Sequence, residues 1–531
     1  VGVTKLHIHL TVCDVKNITV CIKVNIVIMN KHYQNLVQKL EEISHLNGVM
    51  NTLGWDQEVM MPSGAAPARA RQVAALAGVI HERMTHPALG ECLDALEQHN
   101  HHVSSVEQCN IQEAKRQYVL MTRVPKRLTQ ALAELSSRGH EIWVQARQEN
   151  RFNDFAPVIQ EFLMLKKEWA ECAFPELSLY DANLDLFERG TTVAQISTVF
   201  DQLKASLVPL IDAIRHNGYQ PDTSFLKGRF GINQQVKLTQ KISKDIGFDF
   251  TKGRIDVSVH PFCGGGHPTD VRITTRYAEH DFIESLYAVI HETGHALYEQ
   301  GRMPGLEDLP VSESLTMGIH ESQSLFWERM IGQSKAFCTH YFKLFCDTFP
   351  DNLKNVTVDS FYQAVNMCQP ALIRVEADEL TYPLHVILRY EIEKDLFEGN
   401  IAVDDLPEVW NEKMIAYLGI RPPSDTLGVL QDSHWSGGAF GYFPSYTLGA
   451  IYACQFYDAM QQALPDTEKN IETGNFAPIK KWLNENVHRQ GRLYTPQELV
   501  LRIAGEPLNP QHFLNYLKAK YSAIYCLNVS A

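Results

Sequence analysis

Ile283-Glu-Ser-Leu-Tyr-Ala-Val-Ile-His-Glu-Thr-Gly-His-Ala-Leu-Tyr-Glu-Gln-Gly301 is the stretch from which the rest of the chain can be read. Phe282, Leu286, Val289, Ile290 and Leu297 recur at steps of three and four, which predicts an α-helix with one buried face. Asp281 stands where an N-cap belongs, and Gly301 where a left-handed residue past a helix end belongs. Within that frame lies His291-Glu292-x-x-His295. Imidazoles four positions apart leave a helix on the same side, one turn above the other, and can share one cation. Glu292 is rotated off that line, so it is poorly placed as a third ligand. It is well placed to take a proton from an attacking water.

A catalytic metal site needs a third protein ligand. After Gly301 comes a Pro-containing connection, and then a second helical pattern from about 312 to 331 carrying His320-Glu321-Ser322-Gln323. Glu321 lies 26 positions beyond His295, room enough for a turn and an antiparallel return. The alternative is an ordinary exterior glutamate.

Upstream, Ile255–Val259 and Val271–Thr275 are short β-branched runs flanking Gly264-Gly265-Gly266, and predict a small antiparallel hairpin with the glycines in its loop. No Gly-Lys-Ser/Thr follows the glycines, so a phosphate loop is not indicated. Further upstream the patterns are helical: residues 30–49, 65–89, 125–175 and 191–217. His99, His101 and His102 read as a solvated connection, since no apolar helix frames them. The first 28 residues differ, with Leu6, Ile8 and Leu10, then Val20 to Ile28, alternating like strands. Asp14, Lys16 and Lys23 interrupt them, and no methionine precedes Met29. Residues 1–28 therefore read as an extension outside the main fold, and 29–531 as one helical domain. Downstream, Ile373 to Asp378 predicts the start of another helix. Gly428 to Trp435 leads into a glycine-rich loop bearing His434, Tyr442 and Tyr446. The residues from Leu448 to Tyr521 are again helical. The fold class is mostly α, without repeats or low-complexity linkers.

The totals bound the function. Of 531 residues, 45% are hydrophobic and 21% charged, enough to bury a large core. A net charge of -14 argues against nucleic acid or an anionic membrane as the main partner. The eleven cysteines are scattered, with no Cys-x-x-Cys pair, which points to a reducing, cytoplasmic setting. Asn17, Asn355 and Asn528 fit glycosylation acceptors, relevant only in a secreted protein.

Six ordered segments together resemble the carboxypeptidase Taq family of zinc metallocarboxypeptidases. They are His260-Pro261-Phe262, Asp270-Val-Arg272-Ile-Thr274, His291-Glu292-Thr-Gly-His295, His320-Glu321-Ser322-Gln323, Ile373-Arg374-Val-Glu-Ala377-Asp378 and Gly428-x-x-Gln431-Asp432-x-His434-Trp435. The similarity runs from about Met29 to about Tyr521. It implies a single helical fold with a deep groove and a small β-sheet beside the zinc helix. It further implies zinc at the groove floor, with cobalt able to substitute, and a homodimer. The implied activity is removal of single C-terminal residues from peptides, with broad preference other than for a C-terminal proline.

On that resemblance His291, His295 and Glu321 hold Zn²⁺ and leave a fourth position for water, while Glu292 is the general base. His434 and either Tyr446 or Tyr442 are candidates to stabilise the oxyanion, Tyr446 the favoured one. Arg374, and after it Arg272, are candidates to grip the substrate carboxylate with paired hydrogen bonds. Each has the alternative of a structural ion pair. His260 either lines the terminal-residue pocket or is a core histidine. A dipeptidyl carboxypeptidase or endopeptidase would use the same zinc motifs, and a silent binding scaffold would have no need of Glu292.

Overall fold

The computed structural model describes residues 12–98 and 103–527, with side chains from residue 31 onward. The His99, His101 and His102 cluster lies outside the described residues, as does the segment holding Leu6, Ile8 and Leu10. Nearly every described element is a helix. The N-terminal part comprises α1 (Val12–Val59), α2 (Ala66–Met84), α3 (Pro87–Gln98), α4 (Ser105–Arg123), α5 (Lys126–Glu149), α6 (Phe152–Ala173), α7 (Leu179–Leu184), α8 (Val193–His216) and α9 (Ile232–Ile246). Boundaries follow local chemistry. Ser104 with Glu107 and Thr192 with Gln195 form reciprocal capping boxes at the starts of α4 and α8. The stretch Val20–Ile28, expected as strand, belongs to α1.

Three strands follow: β1 (Gly253–Val257), β2 (Cys263–His267) and β3 (Asp270–Thr275). The expected two-stranded hairpin is instead a mixed sheet of order β1-β3-β2, with β1 parallel and β2 antiparallel to β3. Gly264-Gly265-Gly266 form part of a strand, not a loop. A Cβ on Gly265 (φ +119°) would fall 2.0 Å from Asp270 O, at the point where the β2–β3 register shifts. A Cβ on Gly266 would fall 2.7 Å from Gly48 O, so the glycines let α1 lie directly on the sheet.

The C-terminal part holds α10 (Phe282–Gln300), α11 (Met317–Leu325), α12 (Lys335–Thr348), α13 (Val358–Val365), α14 (Tyr382–Glu398) and α15 (Leu406–Leu418). It ends with α16 (Pro444–Ala463), α17 (Thr467–Glu472), α18 (Ala477–Asn486), α19 (Pro496–Ala504) and α20 (Gln511–Tyr525). The helix expected over 312–331 is broken into a 3₁₀ turn at Pro310–Ser312, then α11, then a π turn at Phe326–Gly332. The helix expected to open at Ile373 is only a 3₁₀ turn, Arg374–Glu376; Pro383 at the start of α14 marks where helix resumes. One large core runs through α5 to α20 and includes Phe282, Leu286, Ile290 and Leu297 of α10. No helix among the described residues is long and apolar enough to cross a membrane.

Candidate metal centre

Asp281 caps α10 as expected, its Oδ1 accepting the N–H groups of Ile283 (2.9 Å) and Glu284 (3.0 Å). Gly301 does not take the left-handed conformation: its φ is -94°. Glycine is required there by crowding, since a Cβ would lie 2.5 Å from Asn484 Oδ1 and 2.6 Å from His488 Nδ1.

His291 and His295 leave α10 on one side, and Glu321 of α11 meets them. Glu321 Oε2 is 3.6 Å from His291 Nε2 and 3.3 Å from His295 Nε2. The potential ligand atoms of the three residues all lie within 4.8 Å of one another. Glycines make the approach possible. A Cβ on Gly294 would fall 2.5 Å from Gln323 O, so α10 and α11 touch backbone to backbone beside the histidines. A Cβ on Gly449 would fall 2.7 Å from Glu321 Cγ, so α16 closes on the ligand's other side.

Charges in this cluster are coupled. Burial disfavours a carboxylate, yet the charge on His291 outweighs it and Glu321 is held down to about 2. Burial equally disfavours an imidazolium, yet Glu321 and Glu328 raise His291 to about 10. His295, depressed by burial and then by its histidine neighbours, falls to about 4. The trio thus holds one proton where a cation fits, and two imidazole nitrogens with a carboxylate oxygen suit Zn²⁺ or a similar borderline ion. Glu292 is 6% exposed, and its Oε2 is buried without a hydrogen-bond partner. Burial lifts its pKa to about 7, poised for proton transfer near neutrality.

Arg374, Asp432, His434 and Tyr446 form a second cluster. The Asp432 carboxylate accepts from Arg374 Nε (3.0 Å) and Nη2 (2.9 Å) through one oxygen, and from Arg389 Nε (2.6 Å) through the other. Arg374 Nη1 donates to the Tyr382 hydroxyl at 2.7 Å. The Nε–Nη2 edge of Arg374 is therefore engaged by Asp432. Arg374 also lies over the Tyr446 ring, 4.8 Å from its centroid. His434 Nε2 is 3.1 Å from the Tyr446 hydroxyl. Burial, reinforced by Arg374 and Arg389, depresses His434 to about 4 and keeps it neutral. The Tyr442 and Tyr446 rings are 5.3 Å apart. Burial raises both phenols, Tyr442 to about 12, and the Glu321 charge adds to both, which ties this cluster to the metal trio.

The remaining candidates lie in the sheet and in the loop between its first two strands. Arg272 pairs through Nε and Nη2 with Asp270 (2.7 Å each) and covers the Trp55 ring of α1 at 4.6 Å. His260 is exposed, and its carbonyl accepts from Ser258 Oγ. Thr274, buried in β3, accepts from the Phe262 N–H (3.0 Å) and has its hydroxyl 2.7 Å from Ser258 Oγ, which knits that loop to the sheet.

Three carboxylates about the site were not singled out by the sequence. Glu328 sits two turns beyond Glu321, in the π turn, and its Oε2 is 2.7 Å from His291 Nδ1. Glu299 sits one turn beyond His295 and meets His320. Their helical spacing from the ligands is a signal that could have found both. Glu188 is fully buried and accepts from the Gly318 N–H (2.5 Å) and Ser445 Oγ (2.6 Å), binding the first turn of α11 to α16. Nothing local in the sequence marks it.

Fold and site together define a helical metallopeptidase of the His-Glu-x-x-His plus glutamate kind. A family model described as carboxypeptidase Taq (M32) metallopeptidase matches residues 35–521. Carboxypeptidase 1 of Bacillus subtilis is 39% identical over 488 residues, 92% of this chain and 97% of that protein. Thermostable carboxypeptidase 1 of Thermus thermophilus is 38% identical, over 93% and 99%. Among solved structures, the M32 carboxypeptidase of Deinococcus radiodurans superposes with a TM-score of 0.91 at 38% identity, covering 94% of this chain and 100% of that one. Metallocarboxypeptidase 1 of Trypanosoma cruzi gives 0.90 at 35%, covering 92% and 99%. The chain belongs to the M32 family and is a carboxypeptidase.

Proposed function

We propose that this carboxypeptidase is zinc-dependent and releases single residues from the free C-termini of peptides, with broad side-chain preference. The observation that carries the reading is the convergence of His291 Nε2, His295 Nε2 and Glu321 Oε2 beside the unpartnered Oε2 of Glu292. When bound, the cation supplies Lewis acidity, polarising the scissile carbonyl and acidifying water. Glu292 Oε2 accepts the attacking water's proton and passes it to the leaving amine nitrogen. The Tyr446 hydroxyl, kept protonated by burial, donates to the developing oxyanion while neutral His434 holds the phenol in place. Tyr442 supports the Tyr446 ring by edge contact. Arg374, whose Nε–Nη2 edge is engaged by Asp432, takes part in carboxylate recognition through its remaining terminal N–H groups. Arg272 is the second candidate for the substrate carboxylate, and His260 a candidate for the wall of the terminal-residue pocket.

The same reading includes a homodimer acting in the cytoplasm, cobalt as a substitute metal, and residues 1–28 as an extension outside the catalytic domain. The test is mass spectrometry of a defined peptide incubated with the full chain, with and without chelator. A ladder of single-residue steps that chelator abolishes and added Zn²⁺ restores is the expected result. Dipeptide steps or internal fragments would point to the dipeptidyl or endopeptidase mode, and chelator-resistant cleavage would remove the metal from the mechanism.

A further inference from the structure

The two imidazoles present Nε2 to Glu321, so each turns Nδ1 outward, and the two Nδ1 atoms meet different partners. His291 Nδ1 meets the Glu328 carboxylate directly. His295 Nδ1 lies 2.6 Å from Nδ1 of another imidazole, His320, whose Nε2 lies 2.9 Å from Glu299 Oε1. The other Glu299 oxygen accepts from Arg302 Nη1 at 3.3 Å. Arg302 is itself fixed by donating to the carbonyls of Glu307 (2.7 Å) and Ser312 (2.8 Å). The Tyr298 ring packs on His320 with centroids 5.2 Å apart.

Counting hydrogens gives this chain a direction. A carboxylate only accepts, so the hydrogen between Glu299 and His320 resides on His320 Nε2. With a cation on His295 Nε2, the His295 ring carries its hydrogen on Nδ1, and His320 accepts it through a bare Nδ1. His295 is left with its lone pair on Nε2, aimed at Glu321 Oε2. Two facing acceptors repel unless a cation lies between them.

We propose that His320, Glu299 and Arg302 are positioning residues that lock His295 in the tautomer whose Nε2 can bind the cation. The proposal rests on the reading of His291, His295 and Glu321 as the cation site. It gives a role to three side chains outside that site. It also makes the two ligands unequal: His291 is polarised by a carboxylate directly, His295 only through an intervening ring.

The test is Zn²⁺ affinity of the full chain, measured by competition with a chromophoric chelator, for wild type, Glu299→Gln, His320→Ala and His320→Asn. In Glu299→Gln, Arg302 claims the amide oxygen, so the NH₂ group faces His320 Nε2 and reverses every hydrogen along the relay. Affinity should fall about 10–100-fold in Glu299→Gln and His320→Ala. His320→Asn, whose side-chain oxygen can accept from His295 Nδ1–H, should recover most of the loss. Thermal unfolding of the metal-free proteins should barely change with Glu299→Gln. Wild-type affinity in Glu299→Gln overturns the relay, and that near-isosteric variant decides alone should His320→Ala not fold. A wild-type chain that binds no Zn²⁺ instead overturns the cation-site reading, and the relay with it.

Discussion

The metal trio and the Arg374–Asp432–His434–Tyr446 cluster are neighbours built on opposite principles. The trio comes from two helices consecutive in the fold, and helix periodicity alone places two of its members. Gly294 then lets the second helix close to backbone contact. The other cluster draws on two 3₁₀ turns, a loop and the first turn of α16, which share no periodicity. Charge holds it together: one buried carboxylate, Asp432, is shared by two guanidiniums, Arg374 at 5% exposure and Arg389 at 0%. A site set by local geometry should fail chemically when altered, with the fold intact. A site set by buried charge should fail by losing its structure.

The sharpest way to test that contrast is Glu292→Gln. It removes a proton acceptor and leaves all three ligands, so kcat should fall by about 10²–10⁴-fold while Zn²⁺ content stays at one per chain. Normal turnover would take the general base away from Glu292. Asp432→Asn should act the other way, leaving two buried guanidiniums short of a counter-charge and costing about 3–5 kcal/mol of stability in denaturant unfolding. Unchanged stability would show that the arginines have another anion.

Tyr446→Phe falls between the two regimes. It should lower kcat by about 10²–10³-fold with little change in KM, while Tyr442→Phe should do far less. Equal losses would leave the oxyanion contact shared between the two phenols. Cation affinity itself should depend on pH. His291, raised to about 10 by Glu321 and Glu328 against its burial, must release its proton when a cation binds. Below that value, affinity should therefore rise with pH, by about tenfold per unit for one displaced proton. Chelator competition between pH 6 and 8 gives the slope (about two decades expected from the same one-proton linkage). A flat profile would mean the apo site holds no displaceable proton.

Helical spacing made α10, its N-cap and the shared face of His291 and His295 legible, because an α-helix converts four-residue separation into a shared face. Glu321, on another helix, was reached only through the family resemblance. Arg374 was legible as a residue of interest but not in its surroundings. Asp432, 58 residues on, engages its Nε–Nη2 edge, and no local pattern announces that pair. The mixed sheet misled the reading for a related reason. Its glycines signalled a loop, whereas they serve the close approach of α1, a contact between segments more than two hundred residues apart.

The sequence by itself determined the two histidines on one helix face, the carboxylate of Glu292 beside them and the helical class, since each follows from neighbours within a few turns. Only the tertiary structure decided which carboxylates stand behind the ligands, where Arg374 spends its hydrogen bonds, and that Glu188 ties α11 to α16. Those depend on which buried charges are brought face to face. In a low-dielectric interior such partners are enforced by the cost of leaving any charge unmatched, and chain order carries no record of that.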